Sequence, residues 1–113
     1  MMETIESILE NLVQELKRGT LVLGVLLSTR EPVYGYTLVG ELQARGMDIE
    51  QNTLYPLLRR LEKQGLLSSS WDTAESRPRK YYQLSPLGRE VRKRLAQEWQ
   101  AVNTAICKME ERA

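Results

Sequence analysis

The hydrophobic period of this chain changes abruptly at Gly65. Before it, Leu54, Leu57, Leu58 and Leu61 stand at i, i+3, i+4 and i+7, the signature of one helix face. After it, Leu67, Ser69 and Trp71 alternate with Ser68 and Ser70, and Lys80, Tyr82 and Leu84 alternate with Tyr81 and Gln83. Two period-2 runs predict two strands. The polar stretch from Asp72 to Arg79 between them predicts a hairpin with a long, basic tip. A helix stripe and a strand alternation cannot be satisfied by one conformation, so the chain is confined to a helical body carrying one small β element.

The rest of the sequence supplies the body. Ile5, Ile8, Leu9, Leu12, Val13 and Leu16 form a continuous helical stripe opposite Glu6, Glu10, Asn11, Gln14 and Glu15. Lys17, Arg18 and Gly19 read as a stop or bend, with Thr20 as a possible new N-cap. Leu21 to Leu27 is apolar all round and reads as a buried helix, although its Val and Leu content also suits a strand. A third helix opens at Tyr34-Gly35-Tyr36, turns Leu38, Val39 and Leu42 inward, and ends with Gly46 at C′. A fourth runs from Asn52 or Thr53 to Gln64. Pro56 is harmless if Thr53 is the N-cap and bends the first turn if the helix starts earlier; the sequence leaves both open. Ser85-Pro86 is a strong helix start, and Leu87, Val91, Leu95, Trp99, Val102, Ile106 and Met109 carry one stripe to the chain end. About 25 residues of helix span about 37 Å, so part of this helix should project from a domain of 113 residues.

Composition removes most chemistry. With no histidine, imidazole catalysis and His metal sites are excluded, and the single cysteine, Cys107, has no internal disulfide partner. No nucleophile–base pair, phosphate loop or metal cluster is recognisable, so neither an enzyme nor a cofactor is expected. The apolar run Leu21–Leu27 is far short of the roughly 20 residues of a membrane span. Acid at the N-terminus, where an export signal carries base, points to the cytoplasm. Net charge is only +1, but residues 1–51 carry −4, residues 52–94 carry +6 and residues 95–113 carry −1. A basic middle third implies a localised anionic partner, unless it is only a solvated face.

Helix, short turn, helix and hairpin make the winged-helix arrangement, a helix-turn-helix variant. The expected fold class is mainly α, with a small two-stranded β-wing and a long C-terminal dimerisation helix. In this arrangement the helix before the hairpin enters the DNA major groove and the wing lies against backbone or minor groove. The exposed side of the fourth helix presents Asn52, Thr53, Tyr55 and Pro56 near its start and Arg59, Arg60 and Lys63 further along. Hydroxyls and amides at a helix N-terminus suit phosphate, while Arg and Asn have the donor geometry for guanine and adenine edges. The wing adds Arg77, Arg79 and Lys80, with Pro78 stiffening the loop. A winged helix used for protein–protein assembly would put apolar or acidic residues there instead.

These residues also carry a resemblance. Asn52-Thr53-Leu54-Tyr55-Pro56-Leu57-Leu58-Arg59-Arg60-Leu61-Glu62, followed by Gly65-Leu66-Leu67, resembles the recognition helix of the PadR family of bacterial transcriptional regulators. Tyr34-Gly35-Tyr36 with Leu38 resembles that family's preceding helix. Arg77-Pro78-Arg79-Lys80-Tyr81-Tyr82 with Leu84 resembles its wing, and Lys17-Arg18-Gly19-Thr20-Leu21 resembles its entry to the buried helix. The matches run in order from about residue 17 to residue 90. Asn52 and Ser76 stand where the family commonly has glycine. The resemblance implies a homodimeric repressor that, in many members, leaves DNA on binding a small molecule; two recognition helices related by the dimer axis are expected to reach successive major grooves of a palindromic operator.

The last helix asks for a partner independently. Val91, Leu95, Trp99, Val102 and Ile106 exceed what the rest of the chain can cover, and their near-heptad spacing suits packing across a two-fold axis. Ile5, Ile8 and Leu12 on the first helix are the natural complement. The chain is thus expected to divide into a winged-helix DNA-binding domain at 1–85, whose first helix joins the dimer interface, and a dimerisation helix at 86–113. The Glu98-Trp99 pair resembles that of short-tailed PadR members, in which a Trp lines an inter-subunit cavity for planar compounds. Trp99 is therefore a candidate effector contact, or simply fills the interface. Cys107 is expected to be a partly buried thiol rather than a redox switch between subunits.

Overall fold

The structure is a computed structural model and describes residues 4–111. Its first element, α1, is one unbroken helix, Ile5–Ser28. Thr4 caps it by accepting a hydrogen bond from the Ser7 N–H at 3.1 Å, and Glu6 complements the first turn. The break expected at Lys17 to Gly19 is absent. Lys and Arg favour helix, one interior glycine costs only about 1 kcal/mol, and no proline intervenes. Thr20 does not start a second helix; its hydroxyl donates back to the Lys17 carbonyl at 2.9 Å, within the same helix. The two apolar stripes at its ends therefore lie on one rod. Its C-terminal half is anchored by Leu23, Val25 and Leu26, all buried, while most of its N-terminal half is exposed.

Thr29 closes α1. It is fully buried, its hydroxyl donates to the Val25 carbonyl at 2.9 Å, and its own carbonyl accepts from the Leu84 N–H at 2.8 Å. The chain then forms a strand that the sequence did not reveal, β1 (Val33–Tyr34). Two residues are too short to show alternation. The helix α2 (Gly35–Ala44) follows at once, and α3 (Gln51–Lys63) begins one residue before the expected start, after Glu50. Gly46 at φ +95° and Gly65 at φ +82° end these helices in the left-handed conformation expected at C′. Because α3 starts at Gln51, Pro56 lies inside it, in the second turn, where its missing N–H withdraws the usual bond to the Asn52 carbonyl.

The hairpin consists of β2 (Leu67–Asp72) and β3 (Arg79–Leu84), paired antiparallel with Leu67 opposite Leu84, Ser69 opposite Tyr82 and Trp71 opposite Lys80. β1 pairs with the other edge of β3, Val33 opposite Tyr82, so the sheet has three strands in the order β1-β3-β2. The last element, α4 (Pro86–Glu110), is capped by Ser85, which accepts from the Gly88 N–H at 2.9 Å. The core lies under the sheet among α1, α2 and α3. Leu26, Leu38, Leu54, Leu58 and Leu61 are at most 1% exposed, each stabilising the fold by about 2–3 kcal/mol through burial.

The molecule is elongated, 57 × 37 × 24 Å, with a radius of gyration of 17.0 Å. A chain this long packed into a ball would have about 13 Å. The excess comes from two arms, the N-terminal half of α1 and the C-terminal half of α4. Ile5, Leu12 and Leu16 on the first, and Trp99, Val102 and Ile106 on the second, are exposed. Val91 and Leu95, nearer the body, are half-buried against the core.

Candidate nucleic-acid interface

The amphipathic pattern of α3 determines how it sits. Leu54, Leu57, Leu58 and Leu61 are buried, which turns Asn52, Thr53, Pro56, Arg59, Arg60 and Lys63 outward; all six are exposed. Among the described residues, Arg59, Arg60 and Lys63 form no ion pair. Tyr55 is different. It is half-buried, and its phenol is pushed above its ordinary value by burial, with the nearby hydroxyls of Tyr36, Tyr34 and Tyr82 adding to the effect. Its ring serves the packing edge of α3 more than the open face.

The wing projects beside α3. Arg77 is exposed and, among the described residues, makes no ion pair. Arg79 is held by Glu75, 2.9 Å away, and lies 5.3 Å from the centre of the Tyr34 ring. Both partners of the Glu75–Arg79 pair are substantially exposed, so the pair contributes little to stability. Lys80 turns to the opposite face of the hairpin, toward α3. Its Nζ donates to Glu62 Oε1 at 3.2 Å, while Glu62 Oε2 accepts from the Ser69 hydroxyl. The Ser69 hydrogen bond, with Lys80, holds the Glu62 carboxyl below its ordinary range. Burial opposes the charge on Lys80, but its hydrogen bond to Glu62 and the nearby Tyr82 prevail and raise it.

This polar contact makes stability acid-sensitive. A lowered carboxyl contributes stability that is present above its ordinary value of 4.5 and is lost as pH falls through the lowered one. Melting temperature should therefore drop on acidification from about pH 5 to pH 3 less steeply in Glu62→Gln than in the natural chain. Equal slopes would mean that the pair is already open in solution.

The sequence reading missed an aromatic group. Tyr34 lies 5.9 Å from Tyr36 and 5.7 Å from Tyr81, ring centre to ring centre, next to Arg79. The Tyr-Gly-Tyr run was a signal, and Gly35 within it explains the close packing: a Cβ there would sit 3.0 Å from the Tyr82 ring. The expected dimer residues Ile5, Ile8, Leu12, Trp99, Val102 and Ile106 are exposed, and Val91 and Leu95 are half-covered. Cys107 is exposed rather than partly buried, because it lies on the projecting arm of α4. Two shallow hollows, of about 310 and 490 Å³, lie along α1, and neither includes Trp99. Among the described residues no helix is long and apolar enough to cross a membrane.

Comparison with known proteins agrees with this geometry. Residues 22–94 match the transcriptional regulator PadR-like family. The chain is 36% identical over 77 residues to the transcriptional regulator Rv3488 of Mycobacterium tuberculosis, a match covering 67% of this chain and 72% of that one. In three dimensions it is similar to a PadR family transcriptional regulator from Eggerthella lenta, with a TM-score of 0.86 and 48% identity, covering 94% and 95% of the two chains. It is also similar to a PadR-like transcriptional regulator from Bacillus cereus, with a TM-score of 0.77 and 28% identity, covering 84% and 95%. These relatives are regulators, not enzymes. The chain belongs to the PadR-like family of transcriptional regulators.

Proposed function

We propose that this regulator is a homodimeric repressor that binds a palindromic operator and is released by an aromatic small molecule. The observation that carries the DNA reading is the open polar face of α3. Asn52, Thr53, Arg59, Arg60 and Lys63 stand exposed there, with Arg77 and Arg79 of the wing alongside. In this reading Arg59 meets base edges, while Asn52 and Thr53, near the first turn, meet phosphate or an adenine edge. Tyr55 and Pro56 shape the start of the helix. The protein acts in the cytoplasm, where the duplex is, and the winged-helix unit at 1–85 is carried by the dimerisation helix at 86–113.

The dimer reading rests on the two apolar arms. Ile5, Leu12, Trp99, Val102 and Ile106 are each at least 42% exposed, and a stripe this long is rarely left open in a monomer. A second copy, related by a two-fold axis, covers it with the same residues. Sedimentation at micromolar concentration should give twice the chain mass of 13.1 kDa, and Val102→Glu should return it to a single chain mass. A wild-type mass equal to one chain would reject the dimer.

Trp99 lies on that stripe, so a planar ligand bound between subunits would stack beside it. In a Trp71→Phe background, titration with a panel of planar aromatic compounds should quench Trp99 emission and weaken duplex binding by the same compound. Silence across the panel would leave Trp99 as packing alone.

A further inference from the structure

The wing is a hairpin of two six-residue strands, and such a unit is marginal by itself in water. Its base is secured, because Leu67 and Leu84 are only 3% exposed. On β2 burial ends at Leu67 and on β3 at Tyr82, which β1 also pairs, so beyond Ser69 and Tyr81 neither the core nor β1 fixes the direction in which the tip points. What reaches the hairpin from α3 is Glu62, in the last turn of that helix. A carboxylate at that position is disfavoured by the helix dipole, and it subtracts charge from the basic face.

Its contacts account for it. One carboxylate oxygen accepts from Ser69 of β2, the other from Lys80 of β3. One side chain of α3 thereby holds both strands of the hairpin. Lys80 is also flanked by two rings, its Nζ 5.1 Å from the centre of the Tyr82 ring and 5.9 Å from that of Trp71, its cross-strand partner. An ammonium engaged by a carboxylate and two aromatic faces is already satisfied. It faces α3, on the side of the sheet opposite Arg79.

We propose that Glu62 and Lys80 are positioning residues that set the wing's reach relative to α3, and that Lys80 itself makes no phosphate contact. This rests on the DNA-binding reading for its consequence, but the clamp itself is testable without DNA.

The test uses the full chain, Glu62→Gln, Lys80→Met and the double variant. The probe is a fluorescein-labelled duplex selected by the natural protein from random-sequence DNA, titrated between 50 and 200 mM salt. If the pair positions the wing, each single variant binds about tenfold more weakly, as expected of a half-exposed ion pair counted in both subunits. The double variant binds no worse than either single one, because both remove the same contact. The salt slope of Lys80→Met equals that of the natural chain. If Lys80 instead holds a phosphate, Glu62→Gln tightens binding by freeing it, and Lys80→Met makes the slope shallower by about one per subunit. Either of those results overturns the proposal.

Trp71 provides the arm without DNA. Its emission, taken as the difference between each protein and its Trp71→Phe counterpart, should shift in both Glu62→Gln and Lys80→Met. Unchanged emission in both overturns the clamp. Failure of every form, including the natural one, to bind any duplex rejects the DNA reading, and the emission then decides the clamp alone.

Discussion

Gly88→Ala should destabilise the protein by about 3 kcal/mol and lower its melting temperature by roughly 10 °C. The added methyl would stand 2.0 Å from the Leu66 carbonyl oxygen and 2.9 Å from its carbon. The obstacle is backbone, so no rotamer change relieves it. Nor can the helix start slide away. The Gly88 N–H is held by Ser85 Oγ, the Ser85 hydroxyl donates to the Gly65 carbonyl, and the Ser85 N–H donates to the Leu66 carbonyl at 3.0 Å. α4 is thus fastened to the turn that ends α3, and the missing Cβ permits that fit. Gly19→Ala is the control of opposite sign. It lies inside α1 with nothing within 4 Å of the new methyl, and should stabilise by up to about 1 kcal/mol. Thermal denaturation of the two variants decides both; a Gly88→Ala protein that melts with the natural one would mean that α4 docks differently.

Arg59→Ala should weaken duplex binding by about 10- to 100-fold or more, counting a guanidinium lost from each half-site, and should relax base preference at one position per half-site. Arg79→Ala should weaken binding more evenly across sequences, the effect of losing the phosphate contact proposed for the wing. Duplex binding by the natural protein should itself be strongly salt-dependent. With about 6–10 phosphates neutralised, affinity falls about 10³–10⁵-fold between 50 and 200 mM salt. These effects are large because the cations of α3 are exposed and, among the described residues, unpaired. Competition titrations with matched and scrambled duplexes measure them; salt-independent binding would contradict the account.

How far the sequence was readable depended on whether a feature is local. The leucine stripe of α3, the hairpin, the glycine ends at Gly46 and Gly65 and the Ser85-Pro86 start are written within a few residues, and the structure has each of them. The run at Lys17 to Gly19 misled because charged residues and a glycine look like punctuation, although a helix with one end buried tolerates them at small cost. β1 was invisible because two residues carry no period; it exists through its pairing with Tyr81 and Tyr82, far away in sequence. Lys80 looked like a free cation beside Arg79. Its partner Glu62 is 18 residues away, and alternation specifies which face a strand residue takes, not what it meets there. The same limit applies to the tyrosines, whose convergence around Tyr34 is a product of tertiary packing.

The most direct test is selection of bound duplexes from a random-sequence pool by the natural protein, followed by hydroxyl-radical footprinting of the enriched sites. The expected result is an inverted repeat protected on one face, with half-site centres about 10 base pairs or a multiple of that apart, as two copies of α3 on a two-fold axis require. No enrichment, or a single unrepeated site occupied by one chain, would contradict it.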